Sequence, residues 1–425
     1  MEHTVHRRVL SSGLLAVVVV AACSARAGSS SVPSASVSTP AGELAGAPDA
    51  ALAGRVDAAL AGAVRDQRVV GAVVLVARDG KLVYHRAVGL ADREHNVAMR
   101  EDGIFRLASM TKPLVAVTAL ALVDRGVIHL DDPVTTYLPE LTPRLADGRA
   151  PAITIRQLLT HTSGLGYAFF EPGDGPYHRA GVSDGLDAPG RSWVDNQRRI
   201  ASAPLVAPPG SRFHYSLSLD VLGEAIAHAA NTPLPELVAR TVTTPLGMSD
   251  TAFRATDPAR LVAPYANQPT GAPIAMTDGI VVPFAGGGVA FAPSRILDPA
   301  SYPSGGAGMA GTAYDYLRFL EAVRTNRLGL APATHAAALR DQLGGADPVE
   351  LGPGKGFGFL GSVFVDPDKA GAPVSPGTVQ WGGAYGHTWW IDPTAKLSVV
   401  LVTNTAFEGM AGRLVGDLQH AVYGR

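Results

Sequence analysis

Cysteine is nearly absent from this chain, because Cys23 is the only one among 425 residues. A single cysteine excludes an internal disulfide, so a packed core has to hold the fold in whichever compartment the protein occupies. Net charge is also small, at −2, and a chain without a basic excess is not expected to bind nucleic acid. The twelve histidines show no H-E-x-x-H or comparable ligand spacing. We therefore expect no metal and no other cofactor.

Lysine is also scarce in this chain. Only five of the 35 basic residues are lysine, namely Lys81, Lys112, Lys355, Lys369 and Lys396. A coding bias that favours arginine explains most of this skew. Positions that keep lysine are then the ones that have some reason to carry an amine, since arginine does not deprotonate in proteins.

The N-terminal apolar run is short. A basic head, MEHTVHRR, precedes the 14 residues VLSSGLLAVVVVAA, which are too few to span a bilayer comfortably but fit a signal-peptide core. We predict a signal peptide over residues 1–27. The sequence VAAC resembles a lipobox ending at Cys23, whose lipidation would attach the protein to a membrane; the alternative is ordinary cleavage near Ala27.

These features predict an exported protein, either a periplasmic or cell-envelope lipoprotein or a freely secreted form. A Ser/Pro/Ala linker is expected over residues 28–48, and one catalytic domain over 49–425. Strand patterns at both ends of that domain, with helical patterns between them, predict an α+β fold. Its antiparallel sheet is built from both chain ends and flanked by helices, with a helical subdomain inserted at about 131–295. The Gly/Pro/Asp-rich stretch 166–195 is expected to be a long surface loop.

The stretch RLASMTKPLVAVTALALVDRG (106–126) places one lysine in an almost unbroken apolar run. Ser109 and Lys112 are three residues apart and lie on one face of the predicted helix. A buried ammonium costs several kcal/mol unless it is paired, so the amine is expected to be uncharged. An uncharged amine beside a hydroxyl is a base beside a nucleophile. The plainer alternative is that Ser109 caps the helix and Lys112 reaches water.

Six segments in this order resemble the serine β-lactamase and penicillin-binding-protein superfamily, particularly its class C-like branch and the family VIII carboxylesterases. They are SMTK, LDDPVTTYLPE, ITIRQLLTHTSGL, FHYSLSLDVLGEAI, GGAGMAGTAYDYLRFL and WGGAYGHTWWIDP. The likeness covers roughly residues 50–425 and implies a β-lactamase/transpeptidase-like fold.

The resemblance implies a role for residues in each of the family's three boxes. Ser109 would be the acylated nucleophile and Lys112 its base, and Tyr215 would relay a proton to the leaving group. The backbone N–H groups of Ser109 and Ala384 would form the oxyanion hole. The expected substrate contacts are Leu217, Trp381, Gly382, Gly383 and Trp389, while His161 and His387 are expected to be structural hydrogen-bonding residues.

Two departures from the family pattern bear on the substrate. The third box usually carries a lysine or histidine that holds a substrate carboxylate, and here it carries Trp381. The second box usually carries an asparagine that binds an acylamino carbonyl, and here it carries Leu217. Both changes remove polar anchors for peptide-like substrates, and they favour a carboxylesterase for short-chain esters that works through an acyl-enzyme on Ser109.

Four alternatives stay open. A β-lactamase or D-alanyl-D-alanine carboxypeptidase would act on a β-lactam-like or peptide substrate through the same serine. An acyltransferase, or a penicillin-binding-like protein without catalysis, is more remote. The sequence GVSDG also fits the G-x-S-x-G pattern of α/β-hydrolases, with Ser183 as nucleophile, although the strand and helix that a nucleophile elbow requires are missing on its two sides.

Overall fold

The computed structural model describes Leu44 and residues 46–425. The predicted signal peptide, Cys23 and most of the predicted linker lie outside the described residues. The end of the predicted linker belongs to the fold: the Leu44 carbonyl accepts a hydrogen bond from the Leu82 N–H at 2.7 Å, and the Leu44 side chain is buried. None of the described helices is both long and apolar enough to cross a bilayer.

Fourteen strands are described. They are β1 (Gly71–Arg78), β2 (Lys81–Asp92), β3 (Val97–Ala98), β4 (Phe105–Arg106), β5 (Tyr265–Ala266), β6 (Ile274–Ala275), β7 (Ile280–Phe284), β8 (Gly287–Phe291), β9 (Ala310–Gly311), β10 (Lys355–Phe357), β11 (Ser362–Phe364), β12 (Val379–Gly383), β13 (His387–Asp392) and β14 (Leu397–Thr403).

Twelve α-helices are described. They are α1 (Ala50–Arg65), α2 (Thr111–Asp124), α3 (Ile155–Leu159), α4 (Pro176–Ala180), α5 (Trp193–Ser202), α6 (Ser218–Ala229), α7 (Leu234–Val238), α8 (Ala313–Arg324), α9 (Pro332–Ala338), α10 (Pro367–Ala370), α11 (Glu408–Ala411) and α12 (Arg413–Tyr423).

The main sheet has eight strands in the order β10-β11-β12-β13-β14-β1-β2-β3, and its strand pairs are antiparallel. The C-terminal strand β14 pairs with the N-terminal strand β1, with Val74 opposite Leu401. The prediction of an antiparallel sheet made from both chain ends is therefore confirmed. Asp79 and Gly80 have φ values of 51° and 79° and form the predicted tight turn between β1 and β2.

Strand β1 is apolar on both faces because each face is covered. Val74 and Val76 pack with α1 and α12 in one core, whereas Val73 and Leu75 belong to a larger core on the other face. The larger core contains helix α2, which is buried on nearly every side and ends before Gly126, at φ 67°, as the sequence predicts.

The region predicted as a helical subdomain, 131–295, shares this larger core with the sheet. It is also not purely helical. Helices α3 to α7 occupy its first part, but two antiparallel pairs, β5-β6 and β7-β8, occupy its last part. The prediction missed these strands because they are short and lie among Gly- and Pro-rich turns.

Candidate active site

The segment that carries Ser109 is held on two sides before it reaches helix α2. Strand β4 pairs with β9, with Phe105 opposite Gly311, and the next residues form a 3₁₀ turn over Ala108–Met110. Ala108 has φ 45°, a left-handed conformation that only a well-packed environment maintains for a residue other than glycine. Ser109 is half-buried and faces a cavity.

Lys112 lies one turn further along the chain and is only 4% exposed. Its Nζ is 3.2 Å from Ser109 Oγ and donates a hydrogen bond to the Gly306 carbonyl at 2.8 Å. The same nitrogen lies 4.7 Å from the ring centroid of Tyr215 and 5.4 Å from that of Tyr167. No carboxylate of the described residues forms an ion pair or a hydrogen bond with this nitrogen, and its direct polar contacts are the Ser109 hydroxyl and the Gly306 carbonyl.

Tyr215 reaches the site from the segment just before helix α6. Its Oη accepts a hydrogen bond from the Trp381 indole N–H at 3.4 Å, and His161 lies against its ring at a centroid distance of 4.7 Å. Burial, and then the nearby charge of Lys112, hold the pKa of His161 well below its usual range. The imidazole is therefore neutral, and Ser216 N–H donates to its Nδ1.

Strand β12 runs beside the serine. Trp381, Gly382 and Ala384 line the same cavity as Ser109. Gly383 lets the strand approach closely, because a Cβ at that position would lie 2.4 Å from the Leu107 carbonyl oxygen. This approach puts the backbone at Ala384 next to the turn that carries Ser109, which is the arrangement that the predicted oxyanion hole requires.

His387 fixes the two segments to each other. Its Nε2 donates to the Arg106 carbonyl at 2.8 Å, while its Nδ1 accepts from the Thr403 N–H at 3.2 Å. The side chain is fully buried, and burial lowers its pKa to about 4. His161 and His387 both have the structural, hydrogen-bonding positions predicted for them.

The cavity has a volume of about 770 Å³. Near Ser109 its walls are mostly aromatic, and the rings of Phe284 and Phe407 stack at 4.5 Å. The aromatic residues on this side are Tyr167, Phe169, Phe170, Tyr215, Phe284, Trp381 and Phe407. Among the described residues, no group of three or more His, Cys, Asp or Glu side chains could hold a metal ion.

Three predicted substrate contacts are corrected by the structure. Leu217 is fully buried in the main core at the start of α6. Trp389 is 1% exposed and packs towards Tyr316 rather than the cavity. Gly383 contacts the backbone before Ser109 and does not line the cavity. Alternation along a strand identifies two faces, but it does not tell which of them meets a cleft.

The stretch 166–195 is not the surface loop that its composition predicts. Tyr167 and Tyr177 are buried, and Phe169 and Asp184 line the cavity. Ser183 is fully buried and donates a hydrogen bond to Asp187. It does not line this cavity, so the structure does not present it as a nucleophile.

Two buried carboxyl groups near the site were missed by the sequence analysis. Asp184 accepts a hydrogen bond from the Ala168 N–H, and burial raises its pKa well above its usual range. Asp220 accepts one from Ser304, and burial raises its pKa against the opposing charge of Lys112. Isolated aspartates among Gly and Ser residues carry no sequence signal for such a position.

A hydroxyl, a buried amine and a phenol thus meet at one end of a large cavity, beside strand β12 of an antiparallel sheet. This fold and this site define a serine hydrolase. The family model described as Beta-lactamase matches residues 56–422, and the chain belongs to that family.

The comparisons with individual proteins agree with this assignment. The chain is 52% identical to Esterase EstB of Burkholderia gladioli over 367 residues, which cover 85% of this chain and 93% of EstB. It is similar to the structure of EstCE1, a hydrolase with promiscuous acyltransferase activity, with a TM-score of 0.83 and 43% identity over 88% of this chain and 99% of EstCE1. A β-lactamase/D-alanine carboxypeptidase from Yersinia pestis shares the fold, with a TM-score of 0.65 and 21% identity over 88% of this chain and 98% of that protein.

Proposed function

We propose that this protein is a carboxylesterase that cleaves short-chain esters through an acyl-enzyme on Ser109. The observation that carries the proposal is the side chain of Trp381. It occupies the wall beside Tyr215, at a ring-centroid distance of 5.0 Å, where the family usually has a cation for a substrate carboxylate. An indole offers apolar surface and one N–H, and that N–H is already bonded to Tyr215. Such a wall suits an uncharged ester.

Acylation follows from the contacts of Lys112. An uncharged amine can keep its N–H bond to the Gly306 carbonyl while its lone pair faces Ser109 Oγ. Ser109 Oγ attacks the ester carbonyl carbon as its proton passes to Lys112 Nζ. The carbonyl oxygen becomes an oxyanion facing the N–H groups of Ser109 and Ala384. The bond to the alcohol oxygen then breaks, and that oxygen leaves with a proton relayed through Tyr215.

Deacylation repeats these steps with water in place of the serine. Water attacks the acyl carbon, gives its proton to the same Lys112–Tyr215 pair, and the bond to Ser109 Oγ breaks with return of the proton to the serine. The products are a carboxylic acid and the free enzyme. An alcohol that takes the place of water would give acyl transfer, which EstCE1 has as a promiscuous activity. The name and the 52% identity of EstB support the choice of an ester substrate.

The experiment compares p-nitrophenyl butyrate with a chromogenic cephalosporin such as nitrocefin on the same enzyme preparation. We expect kcat/KM to be at least about tenfold higher for the ester, a difference of about 1.4 kcal/mol in activation free energy. The apolar Trp381 wall leaves the cephalosporin carboxylate without its usual cationic partner. The reverse preference would overturn the esterase proposal while leaving the role of Ser109 intact.

We also propose that the protein is exported and that Cys23 is lipidated, because the basic head, short apolar run and VAAC sequence resemble a bacterial lipoprotein signal. The natural partner would then be a membrane surface, reached through the lipid alone. The alternative is cleavage near Ala27 and release as a secreted protein.

Expression of the full chain in a bacterial host tests this proposal. The wild-type protein is expected in the membrane fraction, and Cys23→Ser is expected to shift most of it to the precursor form or to the soluble periplasmic fraction. Ser29→Ala serves as the matched control and should not change the distribution. Recovery of wild-type protein as an unlipidated periplasmic or secreted chain would contradict lipidation but not export.

A further inference from the structure

The cavity that contains Ser109 has a second arm on the opposite face of the sheet. In the β12-β13 pair, Trp381 lies opposite Trp389, whose side chain is in the main core. Gln380 lies opposite Trp390, whose side chain packs with α1 and α12 on the other face of the sheet. Gln380 nevertheless lines the cavity together with Trp381. The cavity therefore passes from one face to the other at the end of β12, where residues after Gln380 have no partner in β11. We call its part on the α12 side the rear arm.

The cavity contains an unusual cation. Lys355 lies opposite Phe364 in the β10-β11 pair, and both residues line the cavity. Its Nζ lies 5.0 Å from the Phe364 ring centroid, and no carboxylate of the described residues forms an ion pair or a hydrogen bond with it. The side chain is half-buried, and burial lowers the pKa of the Lys355 ammonium.

Two other lysines do not share this situation. Lys369 pairs with Asp366 at 2.9 Å and Lys396 pairs with Asp79 at 3.3 Å, both on the exposed surface. Lys355 is also the only lysine or arginine among the described residues that line the cavity. A partly desolvated ammonium has lost part of its hydration, and without a carboxylate nothing replaces that stabilisation of its charge. An anionic group of a ligand would supply it.

The rear arm is lined by apolar residues such as Ala372 and Val415 and by two uncharged amides, Gln380 and Gln419. Gln419 Nε2 donates to Gln380 Oε1 at 3.2 Å, and Gln380 Nε2 donates to Thr388 Oγ1 at 3.3 Å. Each amide NH₂ group has two protons, so each keeps one N–H beyond these bonds. A cation and free amide donors in the wall of one cavity are groups that bind a carboxylate. Glu350, the acidic residue nearest in sequence, also lines the cavity and is bonded to His214 rather than to Lys355.

We propose that the part of the cavity around Lys355 binds an anionic group, specifically a carboxylate, that an ester substrate carries several bonds away from its scissile carbonyl. The inference rests on the proposed esterase function and narrows it from short-chain esters in general to esters with a remote carboxylate. The front of the cavity, with Trp381 and the aromatic walls, receives the uncharged ester, and Lys355 holds the far end.

Mono-p-nitrophenyl esters of dicarboxylic acids, from succinate to sebacate, test this proposal. The reference series is the p-nitrophenyl esters of monocarboxylic acids of the same chain length. For each length, the ratio of kcat/KM values (anionic over neutral) is measured in wild-type protein, Lys355→Met, Lys355→Arg and Lys369→Met. We expect a range of lengths at which Lys355→Met lowers this ratio at least tenfold, while kcat/KM for the neutral esters changes less than twofold. Lys355→Arg should retain the preference, and Lys369→Met should behave as wild type.

The outcomes separate the two proposals. A ratio that Lys355→Met leaves unchanged at every length, or an equal fall in both series, overturns the anion site and leaves the esterase intact. Wild-type protein that hydrolyses neither series overturns the esterase proposal. In that case the anion site is tested by binding, with calorimetric titration of sebacate into Ser109→Ala and into the Ser109→Ala/Lys355→Met double variant. Binding that is at least tenfold weaker in the double variant supports the site. Equal binding in the two proteins, or no detectable binding, rejects it.

Discussion

Ser109→Ala is expected to lower kcat for p-nitrophenyl butyrate by about 10³-fold or more, because no acyl-enzyme can form without the hydroxyl. The fold should survive this change. Ser109 is half-buried, and Lys112 keeps its bond to the Gly306 carbonyl when the serine oxygen is removed. We therefore expect the melting temperature to change by no more than about 2 °C. Circular dichroism and steady-state kinetics on the same preparation measure both quantities.

Ser183→Ala is the matched control, since Ser183 is the nucleophile of the rival α/β-hydrolase hypothesis. Its hydroxyl is buried and bonded to Asp187, and loss of that donor should destabilise the protein by about 1–3 kcal/mol. Its kcat should stay within about threefold of the wild-type value. A serine-directed phosphonate provides the second readout, because peptide mass spectrometry should find the label on Ser109. Label on Ser183, or an active Ser109→Ala protein, would refute the site.

The parts of the fold that local sequence determines were predictable. The turn at Asp79 and Gly80 needs positive φ values, which these residue types adopt most readily. Helix α2 ends before Gly126 for the same reason. A sheet shared by both chain ends followed from the order of the patterns, with strands at the two ends of one domain and helices between them. The structure adds that β1 pairs with β14.

The stretch 166–195 could not be predicted because its position depends on distant residues. Its Gly, Pro and Asp residues are typical of an exposed loop, yet the chain bends inwards and places Tyr167 5.4 Å from the Tyr215 ring. A Cβ at Gly287, on β8, would lie 2.3 Å from the Phe169 carbonyl oxygen. The second contact joins segments more than a hundred residues apart, and composition carries no information about either contact.

The residues of the candidate site also fall into those that local sequence predicts and those that it does not. Ser109 and Lys112 were found because a serine three residues before a lysine in a buried apolar run is itself a chemical signal. The predicted single helix is corrected by the structure, which places Ser109 in the 3₁₀ turn before α2. Tyr215 and Ala384 needed the family resemblance, since nothing near them in sequence distinguishes a relay or a backbone donor. Leu217 was assigned to the substrate pocket from its position in a motif, and the structure places it in the core.

Lys112→Arg is expected to lower kcat by about 10²–10⁴-fold, the range that loss of a general base produces, although the positive charge is retained. A guanidinium does not deprotonate at any pH that the protein survives, so it cannot take the proton of Ser109. Size alone could also disturb a site whose lysine is 4% exposed and lies against the rings of Tyr167 and Tyr215. The arginine variant therefore needs a companion that removes the amine without adding bulk.

Lys112→Ala provides that companion, because it leaves a space into which a small free amine can enter. We expect methylamine to restore part of the activity of Lys112→Ala, with a rate that rises in proportion to the concentration of the unprotonated amine as the pH is raised. Ser109→Ala should show no such rescue. A lysine needed only for packing would give rescue that follows total amine concentration, or none. That result, or a Lys112→Arg protein within tenfold of wild-type activity, would mean that Ser109 is activated by some group other than an uncharged amine.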